Sequence, residues 1–341
     1  MAIQSLGGLP TGALRFLRHG DAARNRREMW SHFVENNTLR EDSTREIDET
    51  LVRVARRDLV GVMDLAGMRK TLDKGVGTTT YEYDKITPVG EATQSMSILD
   101  HGDFDRVTFS RTAIPVPCTR QGFRMDAREI AAGRGMGQSV DLTNIEECTR
   151  SVAEKLEDTL FNGSNIVLGG NALQGYTNFS CRTAVTIGTA WDSLTAGAIT
   201  SAVTDVLTAR QALRSDGFSG PYILYVPDTW DQVLDEDYSD VKSDRTLRER
   251  IMAIDGIAGI KVSATLPADN AVLVQMTRSV VEMPEGQQIT VVTWDDGSGL
   301  ASNWLVLHVG TFALKCANAR APLSQGVLPA LSTAAGIAHL S

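Results

Sequence analysis

The sequence shows neither the long apolar segments of a membrane protein nor the residue pattern of a secretory signal. None of its apolar runs approaches the ~18 residues that a membrane-spanning helix requires. The N-terminus shows no basic segment followed by a compact apolar one, so we expect synthesis in the cytosol without a secretory signal. Hydrophobic residues make up 42% and charged residues 22% of the chain, which is typical of a globular protein with a sizeable core.

Cysteine and histidine are too few and too scattered to predict a metal centre. The four cysteines form no CxxC pair, and this spacing matches neither a zinc site nor a disulfide framework. We therefore expect buried thiols that pack as small apolar side chains. The cysteines are Cys118, Cys148, Cys181 and Cys316. The five histidines show no HExxH spacing, so the sequence predicts no metal ligands and no cofactor.

Motifs of the common enzyme classes are also missing from the sequence. The one glycine-dense loop, Gly133 to Gly137, does not have the GxGxxG spacing of a dinucleotide site. No GKS or GKT of a phosphate-binding loop occurs, and no GxSxG elbow or kinase motif set is present. The sequence therefore predicts a protein that is not an enzyme.

The net charge of −9 is unevenly distributed, and the first 27 residues are basic. Five arginines stand there against one acidic residue, Asp21. They are Arg15, Arg18, Arg24, Arg26 and Arg27. A basic segment that contains glycine and proline favours non-specific contact with a nucleic acid. The alternative is a solvated arm that has no polyanionic partner.

Acidic residues are concentrated between positions 231 and 244. The cluster consists of Asp231, Asp235, Glu236, Asp237, Asp240 and Asp244. Carboxylate oxygens are the ligands that calcium prefers, but the spacing differs from that of an EF-hand and lacks its central glycine. The plain interpretation is a solvated loop, and the alternatives are an ion site or a contact between subunits.

The segment from Thr143 to Phe161 predicts one long amphipathic helix. Thr143 and Glu146 have the spacing of a capping box. Apolar residues recur on one face, at Leu142, Ile145, Cys148, Val152, Leu156 and Leu160. Asn162 and Gly163 provide the residue that ends the helix, since glycine adopts the left-handed conformation easily.

The first 122 residues predict an arm, a helix and a hairpin. Residues 1–41 are weakly periodic, and a helix that begins near Ser43 is expected to end near Gly67. Thr78 to Tyr83 alternates as a strand does, and Val107 to Val116 predicts a second strand. The polar segment between them is too long for a loop of a compact domain. We therefore predict a projecting hairpin that contacts another molecule over residues 76–114.

Residues 195–295 alternate between helical and strand patterns. Thr195 is the predicted cap of a helix that ends at Gly217, and several strands follow at 222–226, 260–262, 271–276 and 289–294. This alternation predicts an α/β unit. Strands return at residues 303–321, and the tail from Ser324 to Ser341 is weakly patterned.

Several short sequences resemble the HK97-fold shell proteins, which include the major capsid proteins of tailed phages and the encapsulins. "LFNGSN" followed by "LQGYTN" resembles the end of their spine helix and the turn after it. "GPYILYVPDTWDQVL" resembles a strand-to-helix corner of their A-domain, and "GTFALKCANARAPL" resembles their final strand. The resemblance extends over roughly residues 40–322.

This resemblance implies an α+β class with the HK97-like shell fold. It divides the chain into an N-terminal arm, an extended β-hairpin called the E-loop, a P-domain built on the spine helix, and an α/β A-domain. The implied segments are the arm at 1–41, the arm helix and P-domain start at 42–71, the E-loop at 72–122, the P-domain with the spine helix at 123–194, the A-domain at 195–295, and the P-domain return strands with the C-terminal tail at 296–341.

The implied function is that of a self-assembling icosahedral capsid subunit of a phage. Its partners would be copies of itself in pentamers and hexamers, non-specifically held double-stranded DNA on the inner face, and portal, scaffold or decoration proteins, without a membrane. The subunit would assemble in the host cytoplasm and reside in the virion, with the acidic cluster near a five- or six-fold axis. One alternative is an encapsulin-type shell that encloses protein cargo, and another is an α/β enzyme that acts on a small molecule.

Some members of this family form isopeptide cross-links between a lysine of the E-loop and an asparagine of a neighbour. Lys74 and Lys85 are the lysines in or near the predicted hairpin, and Asn303 and Asn318 are late asparagines. Because the sequence marks no carboxylate that would catalyse the bond, we expect both lysines to be surface charges.

Overall fold

The computed structural model describes residues 60–86, 94, 96, 99, 104, 106–128, 140–194, 199–237, 245–295, 300–319 and 332–341. The helices are α1 (Val60–Asp64), α2 (Val140–Asn162), α3 (Thr200–Ser215), α4 (Asp231–Leu234) and α5 (Leu247–Met252). The strands are β1 (Arg69–Thr71), β2 (Thr80–Ile86), β3 (Phe109–Pro115), β4 (Cys118–Asp126), β5 (Ser164–Leu168), β6 (Asn171–Leu173), β7 (Thr183–Val185), β8 (Tyr222–Pro227), β9 (Ile257–Ser263), β10 (Ala271–Gln275), β11 (Val281–Asp295), β12 (Ala301–Gly310), β13 (Ala313–Leu314), β14 (Ala317–Ala319), β15 (Ser332–Ala334) and β16 (Ile337–Leu340). None of the described helices combines the length and the apolar character of a membrane span.

The long helix α2 confirms the predicted spine helix, and it packs on strands β4 and β12. Its stripe is buried at Ile145, Cys148, Val152, Leu156 and Leu160, each at most 8% exposed. The helix begins at Val140, so Thr143 lies inside it and the predicted capping box is wrong. Because Val140 to Leu142 contain no helix breaker, the helix extends back past Thr143.

The contacts at the end of α2 show what the sequences "LFNGSN" and "LQGYTN" contribute to the fold. Gly163 has a φ of 75°, the left-handed conformation expected of the residue that ends a helix. The backbone N–H groups of Tyr176 and Thr177 then donate to the carbonyls of Leu160 and Phe161, each at 2.9 Å. "LQGYTN" therefore supplies the donors that the last turn of the helix lacks.

Gly175 and Asn178 allow this close approach. A Cβ atom at Gly175 would lie 2.3 Å from the Gly163 nitrogen, so only glycine fits. The Asn178 side chain accepts a hydrogen bond from Gly175 N at 2.7 Å and donates one to Asn162 O at 2.8 Å. The junction thus fixes the chain direction after the spine helix.

The first sheet has the strand order β1-β11-β12-β4, with β13 also paired to β11. Its long central pair is antiparallel, and β4 runs antiparallel to β12 along its whole length. One face carries Val306 and the stacked rings of Phe123 and Trp304, whose centroids are 5.9 Å apart. The predicted strand at 289–294 was expected in the α/β unit, whereas its pairing with β12 places it in this sheet.

The second sheet has the strand order β7-β16-β10-β8-β9. Helix α3 buries Val203, Val206 and Leu213 in the same core as this sheet, and Trp191 stacks on Trp230 at 4.7 Å. Its described part begins at Thr200, and the predicted cap Thr195 lies outside the described residues. The predicted strands at 222–226, 260–262 and 271–276 are confirmed as β8, β9 and β10.

The C-terminal tail supplies a strand that sequence analysis did not predict. Strand β16 lies between β10 and β7, antiparallel to the first and parallel to the second. All of its residues are buried. A segment of four residues is too short to show a period, so its pairing across the chain determines its conformation.

A buried polar network joins α1 to α2 and to the second sheet. The Glu157 carboxylate on α2 is 2% exposed and accepts a hydrogen bond from Gly61 N at 2.9 Å. Its burial raises its pKa above the usual value. Nearby, Asp64 accepts a hydrogen bond from Tyr225 Oη at 2.7 Å and forms an ion pair with Lys261. If Glu157 or Asp64 lost one of these partners, a buried carboxylate would lack a hydrogen bond. The network therefore favours one arrangement of α1, α2 and the second sheet.

The prediction that all four cysteines are buried thiols is wrong. Cys181 and Cys316 form a disulfide with a Cα–Cα distance of 5.9 Å, and Cys118 is exposed. Cys148 alone is confirmed as a buried thiol, on the inner face of α2. The bonded residues are 135 positions apart, so the fold brings them together and local spacing gives no sign of it.

Candidate functional site: the β2–β3 hairpin and its root

Strands β2 and β3 confirm the two strands of the predicted hairpin. They pair antiparallel without a register shift, from Thr80 opposite Pro115 to Ile86 opposite Phe109. We call the part next to the first sheet the root, Thr80–Tyr83 with Thr112–Pro115. We call residues 84–111 the distal end, of which the structure describes 84–86, 94, 96, 99, 104 and 106–111.

The root is packed into the core of the chain. Tyr81 is 7% exposed and lies in one apolar cluster with Leu72, Val116, Val309 and Ala313. Tyr83, two residues along the strand, points to the same face and packs against this cluster. The alternation that predicted the strand therefore also separates its buried tyrosine face from its exposed face.

Tyr81 connects the hairpin to the first sheet through a charged network. Its hydroxyl donates to Glu282 Oε2 at 2.7 Å, and Lys315 Nζ lies 2.9 Å from the same oxygen. Lys70 Nζ donates to Tyr81 Oη at 3.3 Å and lies 5.1 Å from the centre of its ring. Burial alone would raise the pKa of Glu282, but the hydrogen bonds from Lys315 and Tyr81 outweigh it, and the pKa is lowered.

The root has a second anchor at Tyr83. The backbone N–H of Cys316 donates to Tyr83 Oη at 3.2 Å. Burial raises the pKa of this phenol, so it remains neutral at physiological pH. The disulfide therefore lies directly against the hairpin root.

The outer face of the hairpin is charged and exposed. Arg111 Nε lies 2.9 Å from Asp84 Oδ1, and Arg111 Nη1 lies 3.4 Å from Glu82 Oε2. The hydrogen bond from Arg111 lowers the pKa of Asp84. Exposed pairs of this kind contribute little to stability, so they do not hold the hairpin in place.

Apolar side chains of the distal end are exposed. Phe109 is 68% exposed and Ile86, opposite it, is 56% exposed. Met96, Leu99 and Phe104 are more exposed still. A concentration of exposed apolar side chains is typical of a surface that contacts another molecule.

A second exposed apolar surface lies on the first sheet. We call Val292, Trp294 and Leu300 the sheet patch, and Trp294 is 49% exposed. Trp294 lies opposite Asn303, which in turn lies opposite Arg124, so an arginine belongs to the same row. The patch has the aromatic and arginine content that is enriched at protein interfaces.

The described part of the acidic cluster is partly neutralised within the chain. Arg248 Nη2 lies 2.8 Å from Asp231 Oδ1, and Arg248 Nε lies 3.0 Å from Asp235 Oδ1. Glu236 and Asp237 follow directly, whereas Asp240 and Asp244 lie outside the described residues. Within the described parts of the chain, no group of three or more histidine, cysteine or acidic residues is arranged to hold a metal ion.

The remaining predicted residues either lie outside the described part of the chain or belong to separate elements. The arginines Arg15, Arg18, Arg24, Arg26 and Arg27 and the loop Gly133 to Gly137 lie outside the described residues. Lys85 lies in β2, Asn303 in β12 and Asn318 in β14, and Lys74 precedes a short 3-10 turn. The anchors Tyr81 and Tyr83 were not predicted, although "YEY" in an alternating strand indicates that the two tyrosines share a face.

One curated relative is a shell protein. The chain is 27% identical over 196 residues to the type 1 encapsulin shell protein EncA of Myxococcus xanthus (strain DK1622). The match covers 55% of this chain and 61% of that protein, so the chain spans about six-tenths of the length of this relative.

Solved structures of shells share the fold. The virus-like particle of Pyrococcus furiosus has a TM-score of 0.60 at 15% identity and covers 87% of this chain and 98% of its own. The capsid of Myoviridae phage XM1 has a TM-score of 0.56 at 13% identity, covering 82% and 91%. The capsid of a native GTA particle has a TM-score of 0.57 at 11% identity, covering 83% and 90%.

These similarities establish the fold, and a family match gives the chain its place among sequences. The predicted α+β class and the HK97-like shell fold are confirmed. The matching family is described as "Family of unknown function (DUF6260)", and the match extends over residues 35–295. Because it covers more than half of the 341 residues, the chain belongs to the DUF6260 family, and it carries the HK97-like shell fold.

Proposed function

We propose that this protein is a self-assembling subunit of a closed icosahedral shell, and that the shell is a phage capsid filled with DNA. The hairpin is the observation that carries the proposal. Its root is built into the core, whereas its distal end presents Ile86 and Phe109 to solvent. A rigidly anchored projection with an apolar end is suited to binding a second copy of the same chain.

The exposed apolar surfaces favour association between copies. Fully burying a side chain such as Phe109 is worth about 1.5 to 3 kcal/mol. The distal end and the sheet patch each carry several such side chains on one subunit. Closed point-group symmetry repeats every contact around each axis, so modest contacts suffice for a stable shell.

Double-stranded DNA on the inner face is the proposed content. The support is the basic segment with Arg15, Arg18, Arg24, Arg26 and Arg27, which would neutralise phosphates without reading sequence. Portal, scaffold and decoration proteins are the further partners expected of such a capsid. The particle would assemble in the host cytoplasm and become the virion shell.

A nanocompartment that encloses protein cargo is the second candidate. The observation that favours it is the similarity to a protein named as a type 1 encapsulin shell protein. The two candidates share the shell and differ in what it contains. In both cases the chain acts as a structural protein rather than as an enzyme.

The division into segments belongs to the same proposal. We keep the arm at 1–41, the arm helix at 42–71, the E-loop at 72–122 and the P-domain with the spine helix at 123–194. The α/β A-domain at 195–295 and the return strands with the C-terminal tail at 296–341 each exchange one strand. Strand β11 of the first sheet would join the P-domain with β12, and β16 of the second sheet would join the A-domain. The acidic cluster would then lie on the A-domain near a symmetry axis, with Arg248 screening part of its charge.

Negative-stain microscopy of the purified full chain tests the proposal. We expect closed particles of uniform diameter, and nuclease-treated particles that retain nucleic acid would support the capsid. Particles that hold protein and no nucleic acid would support the nanocompartment. Monodisperse particles of one or two subunits, with turnover of a small molecule, would contradict both and favour an enzyme.

A further inference from the structure

The disulfide joins parts of the chain that belong to different sheets. Cys181 lies just before β7, the edge strand of the second sheet. Cys316 lies between β13, which pairs in the first sheet, and β14. A single covalent bond therefore ties the two sheets together at this point.

Two further elements meet at the same bond. The Cys181 carbonyl accepts a hydrogen bond from Ala335 N at 3.0 Å, just before the tail strand β16. The N–H of Cys316 donates to Tyr83 in the hairpin root at 3.2 Å. The bond thus holds the positions of the hairpin root and of the C-terminal strand at once.

The two cysteines differ in their exposure to solvent. Cys316 is 7% exposed, whereas Cys181 is half-buried. The Ser180 hydroxyl lies 3.9 Å from Cys181 Sγ, on the exposed side of the pair. A small thiol or a small disulfide therefore reaches Cys181 first, since thiol exchange depends on access to the attacked sulfur.

We propose that the Cys181–Cys316 bond is a redox-controlled lock on the hairpin root and the C-terminal strand. In a reducing cytoplasm both residues are thiols, and both elements are held by hydrogen bonds and packing alone. Exposure to an oxidant closes the bond and stiffens both elements. The proposal concerns the single chain and does not depend on the proposed shell.

The closing reaction is ordinary exchange with a small-molecule disulfide such as oxidised glutathione. The Cys181 thiolate attacks one sulfur of that disulfide and releases a first small thiolate. The Cys316 thiolate then attacks Cys181 Sγ and displaces the second small thiolate. The two cysteines are oxidised, the small disulfide is reduced to two thiols, and the two cysteine protons end on those thiols.

Hydrogen exchange on the full-length protein tests the lock without any mutation. One sample is kept with excess dithiothreitol and the other is equilibrated with oxidised glutathione, and peptide mapping identifies the bond in each. We expect slower amide exchange at residues 80–86 and 332–341 in the oxidised sample, because these segments lie at the bond. The bond closes a loop between residues 135 positions apart, so we also expect a rise in Tm on the order of 10 °C.

Two variants sharpen the test. Cys118→Ser removes an exposed free thiol and should leave the difference between the samples unchanged. The double variant Cys181→Ser, Cys316→Ser should behave as reduced protein in both samples. If the double variant fails to fold, the comparison of oxidised and reduced wild-type protein still shows whether the bond slows amide exchange in the two segments.

Three results would overturn the lock. They are free thiols at both positions after equilibration with oxidised glutathione, a formed bond with unchanged exchange in both segments, and an oxidation effect that Cys118→Ser abolishes. Negative-stain images of the same samples report on the shell separately, so small particles with a working lock would overturn only the proposed function.

Discussion

The root and the distal end of the hairpin share two strands but meet different surroundings. At the root, Tyr81 is buried, and its hydroxyl has partners in the first sheet. At the distal end, Ile86 and Phe109 face each other across the same ladder and are exposed. The hydrogen-bonded ladder is thus continuous, and only the environment of the side chains changes.

This difference separates what the chain can stabilise alone from what needs a partner. Apolar burial, a charged network and the neighbouring disulfide all act on the root. At the distal end, the exposed ion pairs around Arg111 contribute little to stability. Changes at the root should therefore alter folding, and changes at the distal end should alter assembly.

Removing most of the distal end should have the largest effect on assembly. We expect deletion of residues 84–104 to leave a folded, soluble subunit that forms no shells, because the root keeps its core contacts. Circular dichroism tests whether the subunit is folded, and negative-stain images test whether shells form. The milder change of Ile86 and Phe109 to serine should reduce assembly without changing the unfolding midpoint. Shells of normal size from the deletion variant would contradict the division.

Truncating the root should have the largest effect on stability. Tyr81→Ala removes a buried ring and leaves Glu282 without its phenol donor, so we expect the free energy of unfolding to fall by about 3 kcal/mol. The neighbouring Glu82 points to the exposed face, and Glu82→Ala should change it by less than about 0.5 kcal/mol. Urea unfolding of both variants measures the contrast. Equal losses of unfolding free energy in the two variants would show that the two faces of β2 contribute equally to stability.

The charge of Glu282 should make the root sensitive to acid. Its pKa is lowered in the folded chain, so its stabilising effect is present above the pKa of an unfolded glutamate, about 4.3, and is lost as the pH falls through the folded value. Glu282→Gln should lower the free energy of unfolding by about 1 kcal/mol at pH 7. Below about pH 5 the variant should lose less stability with falling pH than the wild type does. The exposed Glu154→Gln on α2 is the control. An unchanged pH profile in Glu282→Gln would count against the network.

The acidic cluster should have the smallest effect. Changing Asp235, Glu236 and Asp237 to their amides should weaken the dependence of shell stability on salt and on divalent ions, because fewer carboxylates would repel one another between copies. Arg248 already pairs with Asp231 and Asp235, so the change in shell dissociation should be modest. Light scattering across a calcium and salt series measures it. Identical curves for the variant and the wild type would leave the cluster as a solvated surface.

Periodic segments were predictable from sequence because their own side chains determine their conformation. The stripe on α2 and the alternation in β2 indicated the spine helix and the hairpin, since each buries one face against the core. The short sequences at the end of α2 resemble those of HK97-fold shell proteins, and this resemblance predicted the fold. The start of α2 was misplaced because Val140 to Leu142 are compatible with helix as well as with loop.

Pairings across the chain could not be predicted in the same way. Strand β16 has four residues, and its partners Ala271–Val274 and Thr183–Val185 lie far away in sequence. The sheet of β11 depends on its neighbours β1 and β12, which no local pattern specifies. The Cys181–Cys316 bond likewise follows from the meeting of both sheets. The anchors of the candidate site were therefore not predicted, whereas its two strands were.

Electron cryo-microscopy of particles assembled from the full chain tests the central claim most directly. We predict a closed shell in which Ile86 and Phe109 of one subunit are buried against a neighbouring subunit, while Tyr81 keeps its contact with Glu282 in the same chain. A closed shell in which the distal end projects freely into solvent would contradict the assigned role of the hairpin. A protein that forms no shell under any assembly condition would contradict the account as a whole.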